Sequence, residues 1–113
     1  IIMIEIQEIP YKIIKHTSVE EIADLYHEVG EETGMEPEDM EKFVDGFVDY
    51  NRKEIHMLYI KGFKNYQMVL RHEIIHAFLY EIGNVNHGNE EFVDKLSKWI
   101  PQIERLRKEA ERY

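Results

Sequence analysis

The stretch Val69-Leu70-Arg71-His72-Glu73-Ile74-Ile75-His76-Ala77-Phe78-Leu79-Tyr80-Glu81 carries both the architecture and the chemistry of this chain. Asn65 stands ahead of it as an N-cap and Gly83 behind it as a stop, so Tyr66–Ile82 reads as one helix. Apolar residues occupy almost every side of that helix, and it is expected to be largely buried. Within it, His72 and His76 stand at i and i+4, one above the other on a single face, where both imidazoles reach one ion. Glu73 points about a quarter-turn away, clear of the ion but within reach of a water on it. With 6 His and 18 Glu in 113 residues, this pattern is expected by chance about 0.05 times at the chain's own composition. Two imidazoles and a carboxylate in an apolar helix are costly to bury unless something satisfies them. A divalent metal, zinc foremost, does so.

A site of this kind needs a third protein ligand and an open position for water. Downstream lies Asn89-Glu90-Glu91-Phe92-Val93-Asp94, entering the last helix. Glu90 and Asp94 are i and i+4 and face the same way. Glu90 is therefore expected on the metal, with Asp94 accepting the free ring N–H of a ligand histidine. Glu91 and His87 are the alternatives for the third ligand; an imidazole is chemically as good as a carboxylate there. As a non-ligand, His87 would suit substrate or oxyanion contact, as would Tyr59 and Tyr80, although packing accounts for both tyrosines. His16, His27 and His56 have no partner at metal-ligand spacing and read as surface or half-buried residues.

Upstream, Ile4, Ile6 and Ile9 alternate with polar residues as a strand running to Pro10, with Tyr11–Lys15 continuing that edge. Ser18 and Glu21 form a capping box for a helix on Ile22, Leu25, Tyr26 and Val29, which ends at Gly34. Met35–Lys42 reads as a connection. Phe43–Tyr50 and Lys53–Ile60 read as a hairpin turning at Asn51-Arg52, closed by Gly62. The final helix starts within Asn86–Glu91 and runs through Trp99, with Pro101 a kink or restart and a charged, solvated helix beyond.

Hydrophobic residues make up 43% of the chain and charged residues 33%, a globular balance, and 113 residues suit one domain over 1–113. Cysteine is absent, so metal ligands must come from His and carboxylate, and a cytoplasmic setting is expected. The net charge of −9 argues against nucleic acid or an anionic membrane as partner. No apolar run approaches a membrane span. Glu5 and Glu8 in the opening segment do not suit a secretory signal, and Met3 is a candidate natural start. Oligomeric state is not legible.

The sequence His72–His76 followed by Asn89–Asp94 resembles the gluzincin metallopeptidases, whose pattern is H-E-x-x-H and then N-E-x-x-x-D, matched here at His72, Glu73, His76, Glu90 and Asp94. The gap between the motifs is shorter than in thermolysin-like members, so their larger scaffold is absent. Residues 66–100 are also similar to small phage- and prophage-encoded minimal zincins, loosely related to the ImmA/IrrE metallopeptidases. A rival likeness, to SprT-like proteases, rests on His87-Gly88 with His87 as third ligand, but the aromatic residue falls one position late. The resemblance implies an α+β minimal zincin with a small, mostly antiparallel sheet, a buried motif helix and a C-terminal ligand helix. It implies a Zn2+-dependent peptidase with Glu73 as general base, acting on a peptide or protein. A chain this small leaves little room for a deep specificity cleft, so an extended peptide laid along a sheet edge is the expected substrate form. A non-catalytic, metal-stabilised interaction module is the alternative.

Overall fold

Ile2–Ile6 (β1) and Ile9–His16 (β2) form an antiparallel hairpin in this computed structural model, which describes residues 2–35 and 43–112. One strand running to Pro10 was expected, and the difference lies at Gln7 and Glu8. Both have positive φ, 51° and 66°, so the chain reverses in two left-handed residues without the Asn-Gly pair that usually marks such a turn. Pro10 is accommodated by register. Ile6 and Ile9 close the hairpin as the hydrogen-bonded pair, so Glu5 and Pro10 form the unbonded one and the proline nitrogen faces away from β1. On that other side, pairing begins only at Lys12.

Val19–Glu32 (α1) follows, with Ser18 Oγ accepting the backbone N–H of Glu21 at 3.3 Å. It ends in a Schellman motif at Gly34, φ 78°, where Met35 N–H reaches the Gly30 carbonyl at 2.9 Å. The connection expected over 35–42 lies, apart from Met35, outside the described residues. Gly46–Asp49 (β3) and Glu54–Leu58 (β4) make the expected hairpin with shorter strands. Asp49 holds its turn: Oδ1 accepts backbone N–H from Asn51 and Arg52 at 3.1 Å. Arg52 then bridges Asp49 to Glu32 of α1.

The sheet order is β1-β2-β4-β3. Its outer pairs are antiparallel but β2 and β4 run parallel, so the sheet is mixed rather than mostly antiparallel. The cause is the crossover through α1, which returns the chain to the far edge as β3 before β4 enters beside β2. The result is a mixed α and β fold with one four-stranded sheet and three helices, consistent with the α+β reading.

Alternation divides the sheet. Tyr11, Ile13, Ile55 and Met57 face Tyr66–Glu81 (α2), while Phe47 and Leu58 face Ile22 and Val29 of α1. Glu90–Ala110 (α3) then packs Phe92, Val93 and Leu96 on Ile75 and Leu79 of α2. Two expectations are met only in part here. The motif helix is buried where the sheet and the start of α3 cover it but leaves Met68 and Phe78 exposed, because α3 covers just part of its outer face. α3 also passes through Pro101 without a restart. The proline forfeits one N–H bond, to the Ser97 carbonyl, in a segment whose outer turns are solvated. Among the described residues, no helix is long and apolar enough to cross a membrane.

Candidate metal centre

Three side chains converge where α2 meets the start of α3. His72 Nε2 lies 2.7 Å from Glu90 Oε2, His76 Nε2 lies 3.0 Å from Glu90 Oε1, and the two Nε2 atoms are 3.0 Å apart. Helical spacing stacks the imidazoles, with ring centroids 4.7 Å apart. Asn89 fixes the acid: its side chain caps α3 by accepting Phe92 N–H at 3.0 Å, which places Glu90 in the first turn facing α2.

The outer ring nitrogens decide the proton positions. His76 Nδ1 is 2.5 Å from the backbone carbonyl of His87. A carbonyl only accepts, so Nδ1 carries the proton and neutral His76 turns its Nε2 lone pair inward. His72 Nδ1 lies 3.0 Å from Asp94 Oδ1, which favours the same tautomer. Neutral imidazoles held this way would set two lone pairs against a carboxylate, a repulsion that a proton or a metal cation placed between them relieves. The electrostatics show that demand for positive charge. Burial opposes ionisation of Glu90, but the two imidazoles overcome it and hold the carboxyl down at about 2. The Glu90 hydrogen bond outweighs burial to push His72 up; for His76, burial lowers and Glu90 and Glu73 more than restore.

Two imidazole nitrogens and a carboxylate are donor types that a divalent metal accepts. Tetrahedral donors at about 2.0–2.2 Å from an ion stand roughly 3.3–3.6 Å apart, so the donors here, 2.7–3.0 Å apart, would open by a few tenths of an ångström or more to admit one. Glu73 is buried on the same helix, and one carboxylate oxygen with the two imidazoles forms a group whose ligand atoms all lie within 4.8 Å of one another. A cleft of about 220 Å³ opens on the group, lined among others by Asp45, Gly46, Tyr50 and Gly88.

Not every residue expected from the sequence gathers here. Glu91 points away, with Lys95 at 3.3 Å. The His87 ring packs edge-on against Tyr50 and Tyr80, and its Nδ1 lies 3.0 Å from the Asn84 carbonyl. It is the backbone of His87, not the side chain, that meets the motif. Tyr80 stacks on Tyr50, while Tyr59 sits half exposed against Tyr66 and Lys15. Two lining residues escaped the sequence reading. Tyr50 has its phenol raised by burial and by the Glu73 charge, so it stays protonated. Asp45 has its carboxyl raised by burial. Their position at the ends of β3 is the only signal, and it emerges once the hairpin is laid against α2.

His16 and His56, expected at the surface or half-buried, are instead buried. The parallel register of β2 and β4 brings His16 Nε2 within 2.8 Å of His56 Nδ1, and His56 Nε2 lies 3.2 Å from Glu54. Each imidazole uses different nitrogens for its neighbours, so the pair is a hydrogen-bonded line rather than a chelate. Compared with known proteins, the chain matches no family model, and no curated protein and no solved structure matches it significantly.

Proposed function

We propose that the chain is a zinc-dependent peptidase of minimal zincin type, with His72, His76 and Glu90 as the metal ligands. The observation that carries the reading is the pair of Nε2 atoms that meet one carboxylate while both Nδ1 atoms lie against acceptors. Glu90 is taken as third ligand because its two oxygens meet both imidazoles. Bound there, zinc supplies Lewis-acid activation of a water and of a substrate carbonyl. The chain's own residues do the rest. Glu73, a buried carboxylate beside the cluster, takes a proton from the attacking water and returns it to the departing amine. Asp94 and the His87 carbonyl keep the two imidazoles in the binding tautomer. Tyr50 offers a protonated O–H to the carbonyl oxygen as charge develops on it. An extended peptide along β3, the edge strand lining the cleft, is the substrate form that fits.

The test separates metal from chemistry. Protein prepared without added metal and then titrated with zinc should take up one ion per chain, and Glu73→Gln should keep that ion while losing peptide cleavage. Failure to bind zinc at all would overturn the site. Zinc binding with no cleavage by the unaltered chain would favour a metal-stapled interaction module, in which the ion only ties α2 to α3.

A further inference from the structure

His16 and His56 stand between two acids on the face of the sheet that α1 covers. His16 Nε2 lies 2.8 Å from His56 Nδ1, His56 Nε2 lies 3.2 Å from Glu54 Oε1, and His16 Nδ1 lies 3.5 Å from Glu21 Oε1 of α1. The imidazoles are 7% and 3% exposed, whereas Glu21 is 63% exposed.

Chemistry fixes the protons in this line. A carboxylate only accepts, so each outer ring nitrogen must donate to its acid, while the central contact holds a single proton. Three contacts need three protons, and two neutral imidazoles bring two. In the neutral pair, the two shorter contacts are filled when His56 Nε2 donates to Glu54 and His16 Nε2 donates to His56 Nδ1. The lone pair of His16 Nδ1 is then left against Glu21. One added proton there fills every contact. A further proton has no place, because it would set two N–H groups against each other at 2.8 Å.

The surroundings favour one positive charge and no more. Glu21 faces the pair from α1, while Glu54 and Asp49 act on it from β4 and β3. Of the nearby cations, Arg52 is held by Asp49, and Lys12 of β2 stands in register with Glu54. Across Phe47, which stacks on His56 with ring centroids 4.8 Å apart, lie Tyr26 and then His27 of α1. Burial outweighs Glu54 and holds His56 below its ordinary value, which leaves His16 to take the proton.

We propose that the pair is a one-proton latch between α1 and the sheet: a proton on His16 Nδ1 turns the Glu21 contact into an ion pair, and a second proton forces the imidazoles apart. Parting them disturbs Phe47, which lines the cleft over the metal centre, from behind. Keeping His56 neutral stabilises the fold fully above its unfolded value, about 6.5, and that contribution is lost as pH falls through the lower folded one. The latch does not depend on a bound metal.

Imidazole nitrogen shifts of the full chain, followed by NMR from about pH 8 to pH 5, read each ring nitrogen separately. His56 should hold Nε2–H and a bare Nδ1 throughout, while His16 begins with Nε2–H alone and gains Nδ1–H on acidification. Glu21→Gln leaves the helix cap intact, because Ser18 meets the backbone N–H at that position. It should move the His16 uptake about 0.2–0.7 pH units lower, the worth of an exposed ion pair. A pair with a merely structural role would leave His16 Nδ1 bare down to pH 5. That outcome overturns the proposal, as does protonation of His56 Nδ1 ahead of His16, two doubly protonated rings in the folded chain, or an uptake that Glu21→Gln leaves unmoved.

Discussion

A Cβ placed on Gly46 would stand 3.1 Å from Cγ of Glu73. The same atom would lie 2.9 Å from Val69 Cγ1 and 3.1 Å from Met57 Sδ, so β3 and α2 touch here through a missing side chain. The contact holds Glu73 against the sheet, beside the two histidines. Gly46→Ala must push α2 outward or turn Glu73 aside. Overpacking of this kind costs about 1–3 kcal/mol, and denaturant unfolding should show a loss in that range. Peptide cleavage should fall more steeply than zinc content, since the clash falls on Val69 and Glu73 rather than on the histidine side chains.

The ligand set is open to direct dissection. Glu90→Ala removes the carboxylate that meets both imidazoles and should abolish tight zinc binding, measured by competition with a chromophoric chelator. Asp94→Asn leaves the ligands but weakens the hold on His72, with an expected loss of about 10–100-fold in affinity. His87→Ala should change affinity little, because the backbone carbonyl serves His76 and survives the substitution. A His87→Ala loss as large as that of Glu90→Ala would move the third ligand to His87.

Protons and metal compete for the same lone pairs, which fixes the direction of the pH dependence. The Glu90 hydrogen bond raises His72; burial lowers His76, and Glu90 with Glu73 more than restores it. In the metal-free protein, stability from these imidazoles is fully present below their unfolded value, about 6.5, and is lost as pH rises through the folded values. Glu90, held at about 2, contributes above its unfolded value of roughly 4.3 and loses this only in strong acid. Zinc needs both Nε2 atoms unprotonated. The rise in melting temperature on adding zinc should therefore grow steadily from pH 5 to pH 8. A zinc shift that is flat or falls over that range would place the metal elsewhere.

Tyr50 offers a sharper kinetic test. If its O–H steadies the developing oxyanion, Tyr50→Phe should lower kcat by about 10²–10³ while zinc uptake and KM hardly move, since the loss is confined to the transition state. An unchanged kcat would return Tyr50 to its packing role against Tyr80 and His87.

What is legible in the chain is what local rules encode. The His72–His76 spacing, the Ser18 and Asn89 caps, the glycine stops and the Asn51-Arg52 turn each depend on a few neighbouring residues. The missed features are products of register and contact between distant segments. The β2–β4 parallel pairing buries His16 on His56, and the seating of β3 on α2 brings Tyr50 and Asp45 to the cleft. No local pattern distinguishes those residues from ordinary strand members. Pro101 shows the converse, since a strong local breaker is overridden within a continuous helix.

The hairpin at Gln7 and Glu8 is the clearest case of structure holding against local preference, and it can be engineered. Each non-glycine residue at positive φ costs roughly 1–2 kcal/mol, and both lie there, at 51° and 66°. The double substitution Gln7→Asn with Glu8→Gly supplies the Asn-Gly pair suited to the turn that the backbone already makes. Greater freedom of glycine in the unfolded chain offsets about 0.5–1 kcal/mol of the gain. A net stabilisation of about 1 kcal/mol should remain, a few degrees in Tm for a chain of this size. β1 forms the sheet edge opposite β3, so zinc uptake and cleavage should be unaffected. A lower Tm would mean that Gln7 and Glu8 contribute contacts worth more than the backbone strain they carry.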